Sequence, residues 1–204
     1  FSDVYTLTFQ AGVTPDEATI QEVFKGCGFN GRKVVVEQQR TAVEPLFTGL
    51  RPLPAAPENN PTTPGRVELG RKLFFDTRLS SHGRMSCATC HQPEHGFAFP
   101  DEIAPAGFNG QRAPRNVPTI VNVGYRTSLF HDGRAKTLEE QALGPIQHPA
   151  EMGSNLDELV KRLAAVPEYA DVFAKEFGGP ITADNVAQAL AAFERTLVRD
   201  DTPF

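Results

Sequence analysis

The chain has 204 residues, a formal net charge of −5, 22% charged and 40% apolar residues. These proportions fit a globular chain of one large or two small domains, and the acidic balance argues against non-specific nucleic-acid binding. No apolar run approaches the roughly 20 residues needed to cross a bilayer, so no transmembrane segment is predicted.

The chain holds seventeen Pro and seventeen Gly, and the prolines crowd between 45 and 65 and between 93 and 118, which predicts helices joined by long ordered loops. The chain starts at Phe1 with neither Met nor a charged-then-apolar leader. It reads as a product whose signal peptide is already removed or not included.

Residues 1–44 look unlike the rest. Val4-Tyr5-Thr6-Leu7-Thr8-Phe9 alternates and is rich in strand formers. Thr14-Pro15-Asp16-Glu17 opens a helix, with the hydroxyl as cap and proline in the first turn; it runs to Lys25 and stops at Gly26. Lys33-Val34-Val35-Val36-Glu37 is a second strand candidate, so a small β-α-β appendage is expected over 1–44. Cys27 is the odd thiol: a buried free cysteine, or half of an interchain disulfide. Residues 45–63 form a Pro-rich connector. Thr63 then caps a helix that starts at Pro64, presents Val67, Leu69, Leu73, Phe74 and Phe75, and ends before Asp76-Thr77-Arg78-Leu79-Ser80.

A loop, Ser80–Ser86, leads into Cys87-Ala88-Thr89-Cys90-His91. Two thiols three positions apart with a histidine next are the attachment signature of a c-type haem. Each thiol adds to one porphyrin vinyl group, and the following imidazole ligates the iron. Cys87 and Cys90 are the predicted thioether anchors and His91 the proximal ligand. Half a zinc site or a redox dithiol are the alternatives. Zinc would need two more ligands and only Cys27 remains; a redox motif should follow a strand. Covalent haem attachment takes place outside the bacterial cytoplasm, so the motif predicts a periplasmic or other extracytoplasmic protein.

The C-terminal third reads as three helices. Asn155 caps the first, with an apolar stripe at 156, 159, 160 and 163. Pro167 opens the second, which Gly178-Gly179-Pro180 ends. Thr182 caps the third, with Val186, Leu190, Phe193, Leu197 and Val198 facing in.

Taken together these motifs resemble a family. Leu69-Gly70-Arg71-Lys72-Leu73-Phe74-Phe75-Asp76-Thr77-Arg78-Leu79-Ser80 and the Cys-x-x-Cys-His motif are similar to the start of a bacterial di-haem cytochrome c peroxidase or MauG-like enzyme. The likeness continues through Ala113–Thr119, His131–Ala135, Glu140–Ala142, Gly144–Gln147 and Glu151-Met152. It covers residues 64–204 and implies a mainly α, cytochrome c-type haem domain with long loops; the appendage and connector precede it. The family's second haem domain is absent from this chain.

The resemblance implies haem c and hydrogen peroxide chemistry at the haem face opposite His91. The family has a glutamine ten residues before a glutamate over that face; here these are Gln141 and Glu151. A carboxylate can move a proton between the two peroxide oxygens, and an amide can hold it and a water in place. Asn116 matches a residue that supports a calcium ion between the family's domains. Oxidising equivalents would pass to a donor cytochrome or cupredoxin, or to side chains of a partner protein. A second haem-bearing domain or chain is the other implied partner.

Two departures stand out. Where many members carry a blocking histidine six residues before the Pro-Arg-Asn motif, this chain has Phe108, which implies a resting haem that is five-coordinate or water-bound. Where many have a tryptophan before Asp-Gly-Arg, it has His131, read as a structural hydrogen-bond partner or a proton donor. His82, His95 and His148 read as loop residues; Arg112 and Arg115 read equally as propionate partners or surface groups. Two other functions stay open: an electron-transfer cytochrome with Met152 or a histidine as sixth ligand, and an interaction subunit that docks through residues 1–60.

Overall fold

The computed structural model describes residues 52–53, 55–101 and 103–199. The predicted β-α-β appendage, Cys27 and the first part of the connector lie outside the described residues. The described residues are mainly helical and contain no strand.

Helix α1 spans Pro64–Phe75. The Thr63 hydroxyl accepts from Arg66 N–H at 3.2 Å, and Pro64 takes the first position, where its missing N–H costs nothing. The cap and the stop before Asp76 are those predicted from sequence. Asp76 then caps the following 3-10 turn, Thr77–Leu79, by accepting from Arg78 N–H at 2.8 Å. Its other oxygen accepts from Tyr169 Oη at 2.6 Å. Within the haem motif, Cys87–Cys90 forms the one-turn helix α2.

From His91 to Lys136 the chain is loop, broken by 3-10 turns at Pro93–His95 and Val123–Tyr125. Isolated bridges at Gln92–Ala98, Ala106–Arg112 and Leu129–Ala135 close three successive loops. Helix α3 follows at Leu138–Gln147, with Thr137 Oγ1 accepting from Glu140 N–H at 3.1 Å. Sequence reading did not mark this helix. Helix α4, Leu156–Ala164, is capped by Asn155, and α5, Pro167–Phe177, ends at Gly178 with φ 74°.

Helix α6, Ala183–Glu194, runs through the middle of the fold. Thr182 and Asn185 exchange capping bonds of 2.7 and 3.2 Å. Val186, Ala187, Leu190, Ala191, Ala192 and Phe193 are all at most 3% exposed, so this helix is apolar nearly all round. It ends at Glu194, short of the predicted stripe: Leu197 and Val198 lie past its end, although Leu197 still packs against the core.

Helix α1 lies along one side of α6 and α3 along another. Gly70 is where α1 comes closest, because a Cβ there would overlap the Ala189 carbonyl and come within 2.9 Å of Phe193 Cβ. The close approach lets Leu69, Leu73 and Phe74 bury to 1% exposure or less. Each such side chain contributes about 1.5–3 kcal/mol. The end of the connector is fixed here too. Asn60 Nδ2 donates to Glu139 Oε1 (2.6 Å) and to the Gln188 carbonyl (2.9 Å), tying the connector to α3 and α6.

Because no side chain fits at Gly70, Gly70→Val should destabilise the fold by about 1–3 kcal/mol, the usual cost of overpacking. Chemical denaturation of the holo-protein measures it; an unchanged midpoint would contradict the packing described here.

Candidate functional site

Local hydrogen bonds fix the approach to the motif. Ser80 is fully buried, and its Oγ donates to the Thr77 carbonyl at 2.9 Å while accepting from Arg84 and Met85 N–H at 3.1 Å each. Ser86 N–H donates to Thr89 Oγ1 at 2.9 Å and starts α2. One helical turn places Cys87 and Cys90 on the same side. Both are half-buried free thiols.

His91 is the residue at which α2 ends, with φ −96° and ψ 80°. Its Nδ1 lies 3.0 Å from the Phe97 carbonyl, an acceptor for a proton on Nδ1, and that tautomer leaves the Nε2 lone pair available to a metal. A tight loop makes this bond. Gly96 and Phe97 are both left-handed, with φ 64° and 56°, and Gln92 and Ala98 close the loop with a 3.1 Å bond. The strained Phe97 backbone costs about 1–2 kcal/mol, which the closed loop sustains. Phe74 stands behind the imidazole at a 6.4 Å centroid distance, and Phe97 and Phe193 flank Phe74 at 6.0 and 5.3 Å.

Electrostatics bear on the three readings of the cysteine pair. Burial pushes the Cys87 thiol well up, with the buried Glu194 carboxylate adding to it. Burial also pushes Cys90 up to about 11, and the charge of Glu151 adds to that. Redox and zinc thiols need the opposite, a stabilised thiolate. Among the described residues no group of three His, Cys, Asp or Glu side chains is placed to hold a metal ion. Two neutral thiols and a buried imidazole, whose pKa burial lowers against the Phe97 and Pro118 carbonyls, suit a porphyrin instead.

Glu151 sits on a turn that folds back onto the end of α3. Met152 N–H donates to the Pro145 carbonyl at 3.2 Å, and Ser154 N–H to the Ile146 carbonyl at 2.7 Å. Its carboxylate is near enough to Cys90 to raise that thiol. Burial raises Glu151's own pKa, opposed by His148 and Arg134. Gln141 lies on α3, one turn before Pro145, and is half-buried. No hydrogen bond joins it to Glu151. The charge of Glu151 thus acts on the Cys-x-x-Cys-His motif, and Gln141 lies on the helix that carries the Glu151 turn.

Phe108 packs on that same turn. Its N–H donates to the Glu151 carbonyl at 2.8 Å, and its ring fills the space beside Gly153, whose φ of 57° and lack of Cβ are both required. His82 meets the Phe108 ring at 4.9 Å and its Nε2 donates to the Phe108 carbonyl at 3.2 Å.

The remaining sequence candidates serve loops. Asn116 Nδ2 donates to the Asp101 carbonyl (2.6 Å) and its Oδ1 accepts from Val117 N–H (2.8 Å). His131 Nε2 donates to the Asn116 carbonyl at 3.0 Å, a structural bond. Arg112 donates to the Ala104 carbonyl, and Arg115 meets Asp132 at 3.3 Å. Met152 is 4% exposed within the main core, and His95 is exposed. Sequence reading missed two charged neighbours of Glu151. Arg134 is held by both Asp132 oxygens at 2.9 Å and stacks 3.5 Å over Phe130; His148 Nδ1 lies 3.5 Å from Glu151 Oε1. The sequence signal for the second pair is only an i, i+3 spacing, which does not by itself bring the two side chains together.

A helical fold that seats a Cys-x-x-Cys-His motif against an aromatic wall defines a cytochrome c-type haem domain. The family model described as di-haem cytochrome c peroxidase matches residues 64–204, and the chain belongs to that family. It is 44% identical over 171 residues to methylamine utilization protein MauG of Methylorubrum extorquens, covering 82% of this chain and 48% of that protein. It is 45% identical over 148 residues to cytochrome c551 peroxidase of Pseudomonas aeruginosa, covering 71% and 42%. A crystal structure of a MauG-like protein associated with microbial copper homeostasis matches with TM-score 0.69 and 33% identity, over 78% of this chain and 47% of the other. The chain therefore spans about half the length of the curated relatives it matches. Among the described residues no helix is long and apolar enough to cross a membrane.

Glu194 makes a pH test possible. It is 7% exposed, and burial, with Glu139 adding and Arg195 opposing, raises its pKa from 4.5 to about 8. Between those values the folded chain holds a proton that the unfolded chain has released, so stability falls as pH rises through this window. Glu194→Gln should flatten that slope in Tm measured from about pH 5 to about pH 8. A wild-type Tm that rises across the window would contradict the assignment.

Proposed function

We propose that this chain carries the peroxide-reactive haem site of a di-haem oxidoreductase, with Cys87 and Cys90 as covalent anchors and His91 as proximal ligand. The observation that carries the reading is the placement of Glu151. Its charge is felt at the Cys90 thiol from a separate turn, and burial raises its own pKa. A group shifted toward the operating pH can take a proton from one peroxide oxygen and return it to the other. The haem iron, when bound, supplies the point at which hydrogen peroxide is held and split. Glu151 moves the proton, and Gln141, on the adjoining helix and not bonded to it directly, holds a water beside it. Phe108 has no nitrogen or sulfur to offer the iron and is packed away on Gly153, which supports an open peroxide face.

The oxidising equivalents go to electrons from a donor cytochrome or cupredoxin, or to side chains of a protein substrate. The second haem is supplied by a further domain or chain, in keeping with the half-length match to the relatives. Covalent haem places the protein in the periplasm. Residues 64–204 form the haem domain, preceded by the 45–63 connector and the 1–44 appendage. Calcium at Asn116 rests on the family pattern; its side-chain oxygen already accepts from Val117 N–H, and a second lone pair remains for a cation. The electron-transfer alternative has less support, because Met152 is built into the core.

Glu151→Gln in the holo-protein should slow the reaction with hydrogen peroxide by about 10²–10⁴-fold, the range of a lost general acid–base group. Stopped-flow absorption measures it. Full reactivity of the variant would remove Glu151 from the mechanism.

A further inference from the structure

His148 is the second ionisable side chain on the Glu151 turn, and nothing in the reading so far uses it. The turn is held tightly. His148 N–H donates to the Gly144 carbonyl, and the His148 carbonyl accepts from Glu151 N–H and Gly153 N–H, all at 3.0 Å. Both side chains therefore leave one small rigid unit. His148 Nδ1 lies 3.5 Å from Glu151 Oε1 and accepts from Ala150 N–H at 3.2 Å. The imidazole is the more open of the two, 45% exposed against 31% for the carboxylate.

We propose that His148 is the proton-relay partner of Glu151, passing protons from solvent to that carboxylate. The proposal rests on the reading of Glu151 as the peroxide acid–base group. Reduction of one hydrogen peroxide to two waters breaks the O–O bond and consumes two electrons and two protons. The electrons come from a reduced one-electron donor protein. Glu151 alone only moves a proton from one oxygen to the other, so the two consumed protons must enter from solvent. When His148 is protonated, Nδ1 carries the proton and Glu151 Oε1 stands 3.5 Å away to take it. Once it gives that proton up, the neutral ring keeps Nε2–H and its Nδ1 lone pair accepts Ala150 N–H. The half-exposed ring then reloads from water.

Other charged groups act on the carboxylate but cannot exchange its protons in this way. Arg134, from the loop before α3, is fixed by Asp132 and stays charged. Cys90 becomes a thioether when haem is attached. His82 is engaged with the Phe108 carbonyl. His148 also helps hold the Glu151 pKa down, so its removal should be visible at Glu151 itself.

The test is His148→Gln in the haem-loaded full chain, which keeps a polar side chain and removes the exchangeable ring. Two readouts apply: the pH profile of peroxide turnover with a reduced donor, and the carboxylic C=O band of Glu151 followed by infrared difference spectroscopy, assigned with Glu151→Gln. The expected result is at least a tenfold loss of turnover, with the C=O band titrating at higher pH than in the wild type. An unaltered pH profile and C=O titration in His148→Gln, with Glu151→Gln impaired, would overturn the relay alone. Full reactivity of Glu151→Gln would overturn the reading of Glu151 and the relay with it.

Discussion

The contact between α1 and α6 at Gly70 governs the geometry of everything around the haem motif. It lets two helices approach backbone to backbone, and Phe74 and Phe193 then meet at 5.3 Å between them. Phe74 in turn backs His91 and Phe97. The imidazole is thus oriented twice, by an aromatic wall and by its bond to the Phe97 carbonyl. A wider helix pair would leave the ring free to turn, and no loop hydrogen bond alone would restore its direction.

The opposite side is built differently. It rests on loops knitted by backbone bonds rather than on helix packing. Glu151 is reached through Met152 and Ser154 bonding back to α3, and through Phe108 bonding to its carbonyl. Ser81 N–H adds a 3.1 Å bond to the Met152 carbonyl, which links the approach to the motif with the acid–base turn. One side orients His91 and the other holds Glu151; the two are joined by the short segment 80–86.

Much of the helical frame was legible because capping chemistry is local. Thr63-Pro64, Asn155, Pro167, Gly178 and Thr182 each mark a boundary that the structure keeps. Helix α3 was not legible, since Gly144-Pro145 reads as a breaker. It survives because Pro145 falls near its end, where the missing N–H costs only the Gln141 carbonyl its helical partner. The stripe through Leu197 and Val198 overran α6 because tertiary contact, not helical period, keeps Leu197 covered. The proposed haem anchors and ligand come from five consecutive residues. Glu151 needed the family likeness, for the fold that brings it to Cys90 comes from loops with no periodic signal. The pairings of His148 and Arg134 with Glu151 required coordinates.

The central claim is that His91 holds one face of the haem while the face served by Glu151 stays open. EPR and absorption spectra of the resting ferric holo-protein, repeated after one equivalent of hydrogen peroxide, test it most directly. The account predicts a high-spin signal that peroxide removes. A purely low-spin signal with a Met–iron charge-transfer band, unmoved by peroxide, would contradict it and make the protein an electron carrier.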